Sequence, residues 1–198
     1  MKFIRLCALL GATLLLQACL PPATTNPVGT TAGLHNDPAL TGLWRGRLAD
    51  RSNGDERDVY FHFLPKLGDT VTVVMVQAGD KPDGDWMVVS ATTAAIRGNH
   101  FLNATLTHTE DKPDGDITPN SFPMLYRFAG PHRLTLYFMD EDAVKDAIKS
   151  GAVRGTVSPG TMGDATITAD PKSLDAFMAS KRGLALFSKP YATLTKME

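Results

Sequence analysis

The chain has 198 residues, 43% of them hydrophobic, which suits one domain with a sizeable core. Its 20 basic and 21 acidic residues leave a formal net charge of −1, so the basic excess that indicates a nucleic-acid partner is missing. The two cysteines, Cys7 and Cys19, both lie near the first residue, and the sequence therefore predicts no internal disulfide in a mature chain.

Residues 1–18 have the pattern of an export signal. Lys2 and Arg5 form a short positive region, and residues 6–16 are almost wholly apolar. This is the pattern of a secretory signal peptide, whose apolar run is too short to span a bilayer.

The end of this signal, Leu16-Gln17-Ala18-Cys19, resembles the lipobox of bacterial lipoproteins. The resemblance implies cleavage before Cys19, acylation of Cys19 and attachment to the membrane through the lipid. An ordinary signal peptide that is cleaved near Ala18 is the alternative. Leu20 follows the cysteine, whereas an Asp at that place tends to retain Gram-negative lipoproteins in the inner membrane. The resemblance therefore points to the outer membrane, with the protein facing the periplasm.

Residues 20–40 are rich in Pro, Thr, Gly and Ala and carry scarcely any charge. Such a composition predicts a flexible tether, with a reach of roughly 25 Å for about twenty residues. Residues 19–40 would then be the lipidated cysteine and its tether, and residues 41–198 a single β-rich domain.

Most of residues 41–198 reads as strands, because runs rich in Val, Thr, Phe and Tyr alternate with Gly, Asn, Asp and Pro. Short spacings predict an antiparallel up-and-down meander that forms a curved sheet or barrel. The predicted strands are Gly42–Ala49, Asp58–Leu64, Val71–Ala78, Trp86–Ile96, Phe101–His108, Pro123–Ala129 and Arg133–Met139. In the second of these strands, Val59, Phe61 and Phe63 share one face.

Two short helices are predicted in the C-terminal third. Asp140 is a suitable N-cap for the first helix, and Gly151 is a suitable stop. Asp170 caps the second helix, Pro171 lies in its first turn, and Gly183 is expected to end it. A short strand over Ala165–Thr168 separates the helices, and Tyr191–Lys196 completes the sheet.

The start of the first long strand, Gly42-Leu43-Trp44, resembles the start of lipocalins, some of which are bacterial lipoproteins. This resemblance implies a barrel with the tryptophan in its core. The strand and helix over Ala165–Gly183 depart from the lipocalin pattern.

The pentapeptide Lys-Pro-Asp-Gly-Asp occurs twice, at residues 81–85 and 112–116. Pro-Asp-Gly is strong turn chemistry, so both copies are predicted to connect neighbouring strands, and the unlike flanking sequences do not favour an internal repeat. In a meander both connections leave the same end of the sheet. The sequence thus predicts an acidic rim there, which would bind a cationic protein or a cation, formed by Asp80, Asp83, Asp85, Asp111, Asp114 and Asp116.

The opposite end gathers basic connections, namely Lys66, Arg97, His100, His132 and Arg133. Because the predicted tether enters the first strand at this basic end, the basic end is expected to face the membrane. Calcium binding at the acidic rim is a weaker alternative, since neither copy has EF-hand spacing and Lys81 and Lys112 oppose a cation. No metal site and no cofactor are predicted.

The sequence carries no recognised catalytic motif, and catalytic residues are therefore not assigned. The prediction for function is a lipid-anchored binding or adaptor module of the cell envelope. An inhibitor or immunity-type lipoprotein that acts on a cationic cell-wall hydrolase is one alternative. An Asp/Glu-dependent hydrolase is another. The ligand and the oligomeric state stay open.

Overall fold

The computed structural model describes residues 21–49, 56–66, 68–78, 85–109, 120–158 and 165–198. The strands are β1 (Ala23–Thr24), β2 (Gly42–Ala49), β3 (Glu56–Pro65), β4 (Val71–Gln77), β5 (Asp85–Ile96), β6 (Asn99–Thr109), β7 (Phe122–Phe128), β8 (Arg133–Phe138), β9 (Gly155–Val157), β10 (Ala165–Ile167) and β11 (Ala192–Lys196). The helices are α1 (Glu141–Lys149), α2 (Pro171–Met178) and α3 (Lys181–Leu184).

Eight of these strands form a closed antiparallel barrel in the order β11-β2-β3-β4-β5-β6-β7-β8. The predicted meander is confirmed, and its strand bounds are off by a residue or two at most. Closure comes from β11, which pairs with β2 on one side and with β8 on the other. A short sheet of β1, β10 and β9 lies outside the barrel.

Side chains point alternately inward and outward along each strand, so every second residue contributes to the barrel interior. Val59, Phe61 and Phe63 on β3 point inward, as predicted, and join Trp44 in one apolar cluster. Phe61 and Phe63 stack with their ring centroids 6.3 Å apart. The interior is therefore filled by side chains.

A second apolar cluster lies on the outer wall of β6 and β7. Phe101 and Leu125 point outward from these strands and pack under the helical layer. The Phe101 ring meets the Phe187 ring edge-on, with centroids 5.8 Å apart. The C-terminal helices thus cover one wall of the barrel.

The helix caps follow the sequence prediction at three of four positions. The side chains of Asp140 and Asp170 accept hydrogen bonds from the first turns of α1 and α2, and Gly151, with φ at 70°, follows the end of α1. The prediction that Gly183 ends the second helix is wrong, because α2 ends at Met178 and Gly183 lies inside α3. A Cβ at Gly183 would collide with the carbonyl oxygen of Phe177.

The described part of the predicted tether, residues 21–40, is packed against the barrel and is named here the N-terminal segment. Ala23 and Thr24 form β1, and Val28 and Leu40 are both 0% exposed. Two turns at Gly29 and Gly33, with φ of 90° and 93°, let this segment follow the barrel surface. The expectation of a flexible tether is therefore corrected for these residues.

The barrel has two ends, which carry different connections. The upper end has the connections that follow β2, β4, β6 and β8, and the lower end has those that follow β3, β5 and β7. The N-terminal segment first meets the barrel at Ser121, directly before β7 and so at the upper end. The chain then reaches Leu40 and enters β2 from the basic, lower end, as predicted; which end faces the membrane stays a prediction.

Candidate functional site at the upper end of the barrel

The strand ends that flank the predicted acidic rim lie at the upper end. Gln77 at the end of β4 lies opposite Asp85 at the start of β5, and Thr109 at the end of β6 lies opposite Met87. The two Lys-Pro-Asp-Gly-Asp connections therefore join strand ends on the same side of the barrel. Asp85 is exposed there.

The other predicted site residues lie outside the described residues. They are Cys19, Asp80, Asp83, Asp111, Asp114 and Asp116. The lipidated cysteine and the rest of the acidic rim therefore stay predictions.

The apolar interior is mostly buried at the lower end, where Phe128 is partly exposed, and more of it is exposed at the upper end. Trp44, Phe63 and Leu134, near the lower end, are all 0% exposed. At the upper end a group of inward-facing residues becomes accessible, and it is named here the upper mouth. It comprises Leu48 at 8%, Met75 at 9% and the partly buried Met87, Val89, Phe138 and Tyr191.

Aromatic rings define one side of the upper mouth. Phe138 at the end of β8 and Tyr191 before β11 meet edge-on with their ring centroids 4.5 Å apart. The Tyr191 amide donates to the Leu136 carbonyl at 2.8 Å, which fixes the position of the tyrosine backbone. The sequence analysis missed this group, because alternation shows which side chains point inward but not how far each lies from an open end.

Two polar side chains lie beside the apolar residues of the upper mouth. Arg57 shares the inward face of β3 with Val59 and lies opposite Leu48 in register. Gln77 shares the inward face of β4 with Met75. Both are partly exposed. The upper mouth thus offers apolar contact with a few hydrogen-bonding groups, an arrangement typical of binding sites.

The lower end is closed by the last residues of the N-terminal segment. Leu40 packs in the barrel core, and its carbonyl accepts a 2.7 Å hydrogen bond from the indole of Trp44. The Tyr126 hydroxyl donates to the Asp37 carboxylate at 2.7 Å. Burial, and then this bond, raises the pKa of Tyr126, so the hydroxyl stays protonated as a donor.

The predicted basic residues lie at this lower end, as expected from the meander. Lys66, Arg97 and His132 belong to its connections, and His100 and Arg133 belong to the adjoining strand ends. Lys196 on β11 adds a further cation here, with its Nζ 5.3 Å from the centroid of the Trp44 ring. The lower end is thus basic and filled.

A shallow groove on the outer wall is lined in part by Arg45, Arg47, Asp58 and Thr195. Its cations are partly neutralised, because the Arg45 guanidinium lies 2.9 Å from the Asp58 carboxylate and Arg47 lies 3.7 Å from it. Gly46 allows β11 to approach β2 closely, since a Cβ there would collide with the Thr193 carbonyl oxygen. The groove is therefore explained by strand packing and ion pairing.

Within the part of the chain that the structure describes, no cluster of three or more His, Cys, Asp or Glu side chains is placed to hold a metal ion. In the same described ranges, no helix has the length and apolar character needed to cross a membrane. The chain matches no protein-family model, and no curated protein or solved structure shows significant similarity to it. The resemblance to lipocalins and to lipoproteins therefore stays a prediction.

Proposed function

We propose that the protein is a lipid-anchored lipoprotein of the bacterial cell envelope that acts as a binding module, with the upper mouth as its binding surface. The observation that carries this proposal is the difference between the two barrel ends. Leu40 and Asp37 cover the lower end, where Phe128 is partly exposed, whereas Met87, Val89, Phe138 and Tyr191 form a larger partly exposed group at the upper end. Clustered exposed apolar residues mark interaction sites.

The ligand chemistry follows from what surrounds the upper mouth. Asp85 is exposed beside Met87, and five further predicted acidic residues belong to the two connections at this end. A partner with an apolar group and flanking cations fits both features, because the apolar group is buried while the cations meet carboxylates. A basic segment of an envelope protein has this chemistry, and a cationic cell-wall hydrolase would be recognised through the same surface.

The apolar part is tested with the chain 19–198 carrying Cys19→Ser, which lacks acyl chains but keeps every described residue. The probe is a synthetic peptide of alternating Lys and Leu, and its control has Glu in place of Lys. Burying a Met side chain is worth about 1.5–3 kcal/mol, and about 1.4 kcal/mol changes Kd tenfold. Met87→Gln should therefore weaken Lys/Leu binding at least about tenfold in calorimetry.

Val88→Gln is the matched control for this substitution, because Val88 is the next residue of β5 and faces outward, whereas Met87 joins the interior cluster. It should leave the Kd within about twofold, which corresponds to less than about 0.5 kcal/mol. Equal binding of the two peptides, or an equal loss in the two variants, would show that the upper mouth is not the binding surface.

The electrostatic part is tested by changing Asp83, Asp85, Asp114 and Asp116 together to Asn, which removes four negative charges and keeps turn-compatible residues. Exposed charges are individually worth about 0–1 kcal/mol, so their joint effect should be a slower on-rate and a weaker dependence on salt. Stopped-flow binding of the Lys/Leu peptide at two salt concentrations measures both. An unchanged on-rate and salt slope would limit these connections to a role as turns.

A further inference from the structure

The N-terminal segment is attached to the outside of the barrel from its first strand onward. Thr24 and Ser121 exchange two backbone hydrogen bonds of 2.8 and 3.0 Å, and β1 runs parallel to β10 with Ala23 opposite Thr166. The Thr25 amide donates to the Ile167 carbonyl at 3.0 Å. The chain is therefore fixed to the domain at Ala23.

Two buried polar side chains hold the following residues. The Asn103 amide group donates to the Val28 carbonyl and accepts from the Val28 amide, both at 2.8 Å. The Asp175 carboxylate accepts from the amides of Gly29 at 2.6 Å and Thr31 at 2.8 Å. Asn103 is 3% exposed and Asp175 is 5% exposed, so water competes little for these bonds.

The attachment at Ala23 leaves a short link to the predicted lipid. Four residue steps separate Cys19 from Ala23, and a fully extended chain spans at most about 14 Å over that distance. A free tether of about twenty residues would have a reach of roughly 25 Å and would let the domain turn in any direction. Pro21 and Pro22 restrict the link further, because each proline fixes its own φ.

We propose that the wall formed by β1, β10 and the start of β7 faces the bilayer, and that the opposite wall around β3 faces away from it. This rests on the acylation of Cys19 in the proposed function. In the ring of eight strands β3 lies four strands from β7 in either direction. Eight strands about 4.8 Å apart and tilted by about 40° give a barrel roughly 15 Å across. The short link cannot carry the β3 wall to the lipid surface without detaching β1.

The surface assignment is tested with one fluorescent label on each wall. Thr156 on β9 is exposed and lies two strands from Ala23, and His62 on β3 is exposed on the opposite wall. Thr156→Cys and His62→Cys each introduce one thiol for a maleimide dye, since acylation blocks Cys19. The acylated chains are placed in vesicles of phosphatidylethanolamine and phosphatidylglycerol that carry a nitroxide on some headgroups. The nitroxide should quench the dye at position 156 several-fold more than the dye at position 62.

A longer link is the matched control. Inserting about fifteen Gly and Ser residues after Leu20 adds a reach of roughly 20 Å and should make the quenching at the two positions equal. Equal quenching with the natural link would overturn the surface assignment while the anchor stands. Failure of the labelled protein to float with the vesicles would instead overturn the anchor, and the surface assignment with it.

Discussion

Asp175 is the buried side chain through which the helical layer holds the N-terminal segment, and Asp175→Ala removes that contact. Its carboxylate accepts hydrogen bonds from the Gly29 amide at 2.6 Å, from the Thr31 amide at 2.8 Å and from the Thr31 hydroxyl. Gly29 is buried, whereas Thr31 is exposed. In the variant the amide and hydroxyl of Thr31 can donate hydrogen bonds to water instead, but the buried Gly29 amide is left without an acceptor.

The expected loss of stability follows from the different exposure of Gly29 and Thr31. A hydrogen bond to a charged group contributes about 1.5–3 kcal/mol, and a buried donor without a partner costs about 1–3 kcal/mol. Because the hydrogen bonds from the exposed Thr31 contribute less to stability than the one from the buried Gly29, we expect Asp175→Ala to lower the free energy of unfolding by about 2–4 kcal/mol. Urea denaturation measures this value, and hydrogen exchange should show faster exchange of the Gly29 and Thr31 amides.

The control is Asp146→Ala, another Asp-to-Ala change on a helix. Asp146 is exposed on α1, and surface substitutions of this kind usually stay within about 0.5 kcal/mol. If Asp175→Ala changes the stability as little as Asp146→Ala does, and if the two amides keep their protection, the carboxylate does not hold the segment and the reasoning is wrong.

Three further changes test the anchor, the barrel closure and one helix cap. Cys19→Ala should abolish palmitate labelling and the membrane fractionation of the protein, and normal labelling would contradict the lipobox prediction. Gly46→Val should lower the free energy of unfolding, measured by urea denaturation, by about 2 kcal/mol or more. The reason is that a Cβ at this position collides with the Thr193 carbonyl oxygen where β11 closes the barrel. An unchanged urea midpoint would argue against this close approach. Hydrogen bonds from Ser173 lower the pKa of Asp170. The ionised Asp170 carboxylate therefore stabilises α2 fully above the ordinary carboxyl pKa, and this stabilisation is lost as the pH falls through the lowered pKa. Asp170→Asn should weaken this acid sensitivity in urea melts at several pH values, and an identical pH profile would refute it.

The barrel was predictable because its signals are local. Val59, Phe61 and Phe63 alternate with polar residues on one strand, and turn residues end each strand within a residue or two of the observed bounds. Neighbouring strands then pair in chain order. Closure by β11 was less evident, because the strands and helices of residues 141–187 stand between β8 and its partner.

The N-terminal segment was not predictable from composition, because the groups that hold it come from distant parts of the chain. Asn103 is 75 residues from Val28, and Asp175 is 146 residues from Gly29. Gly, Pro and Thr are typical of flexible linkers, but their backbone groups are satisfied here by two buried side chains. A similar long-range cause explains Gly183, whose close packing against Phe177 is not visible in a helix-stop pattern.

The candidate site combines one feature that sequence shows and one that it does not. The alternation of the meander predicts that both acidic connections leave one end, whereas the exposure of Met87 and Tyr191 depends on how near each residue lies to that end. The contact of Thr24 with Ser121 also lies at the upper end. If Cys19 carries the lipid, the upper mouth therefore lies close to the bilayer, since the link from Ala23 spans at most about 14 Å. A cationic partner that contacts the upper mouth would then approach it along the membrane surface, where anionic headgroups attract the same charges. The lipid anchor would in this way place the binding surface where basic partners are already concentrated.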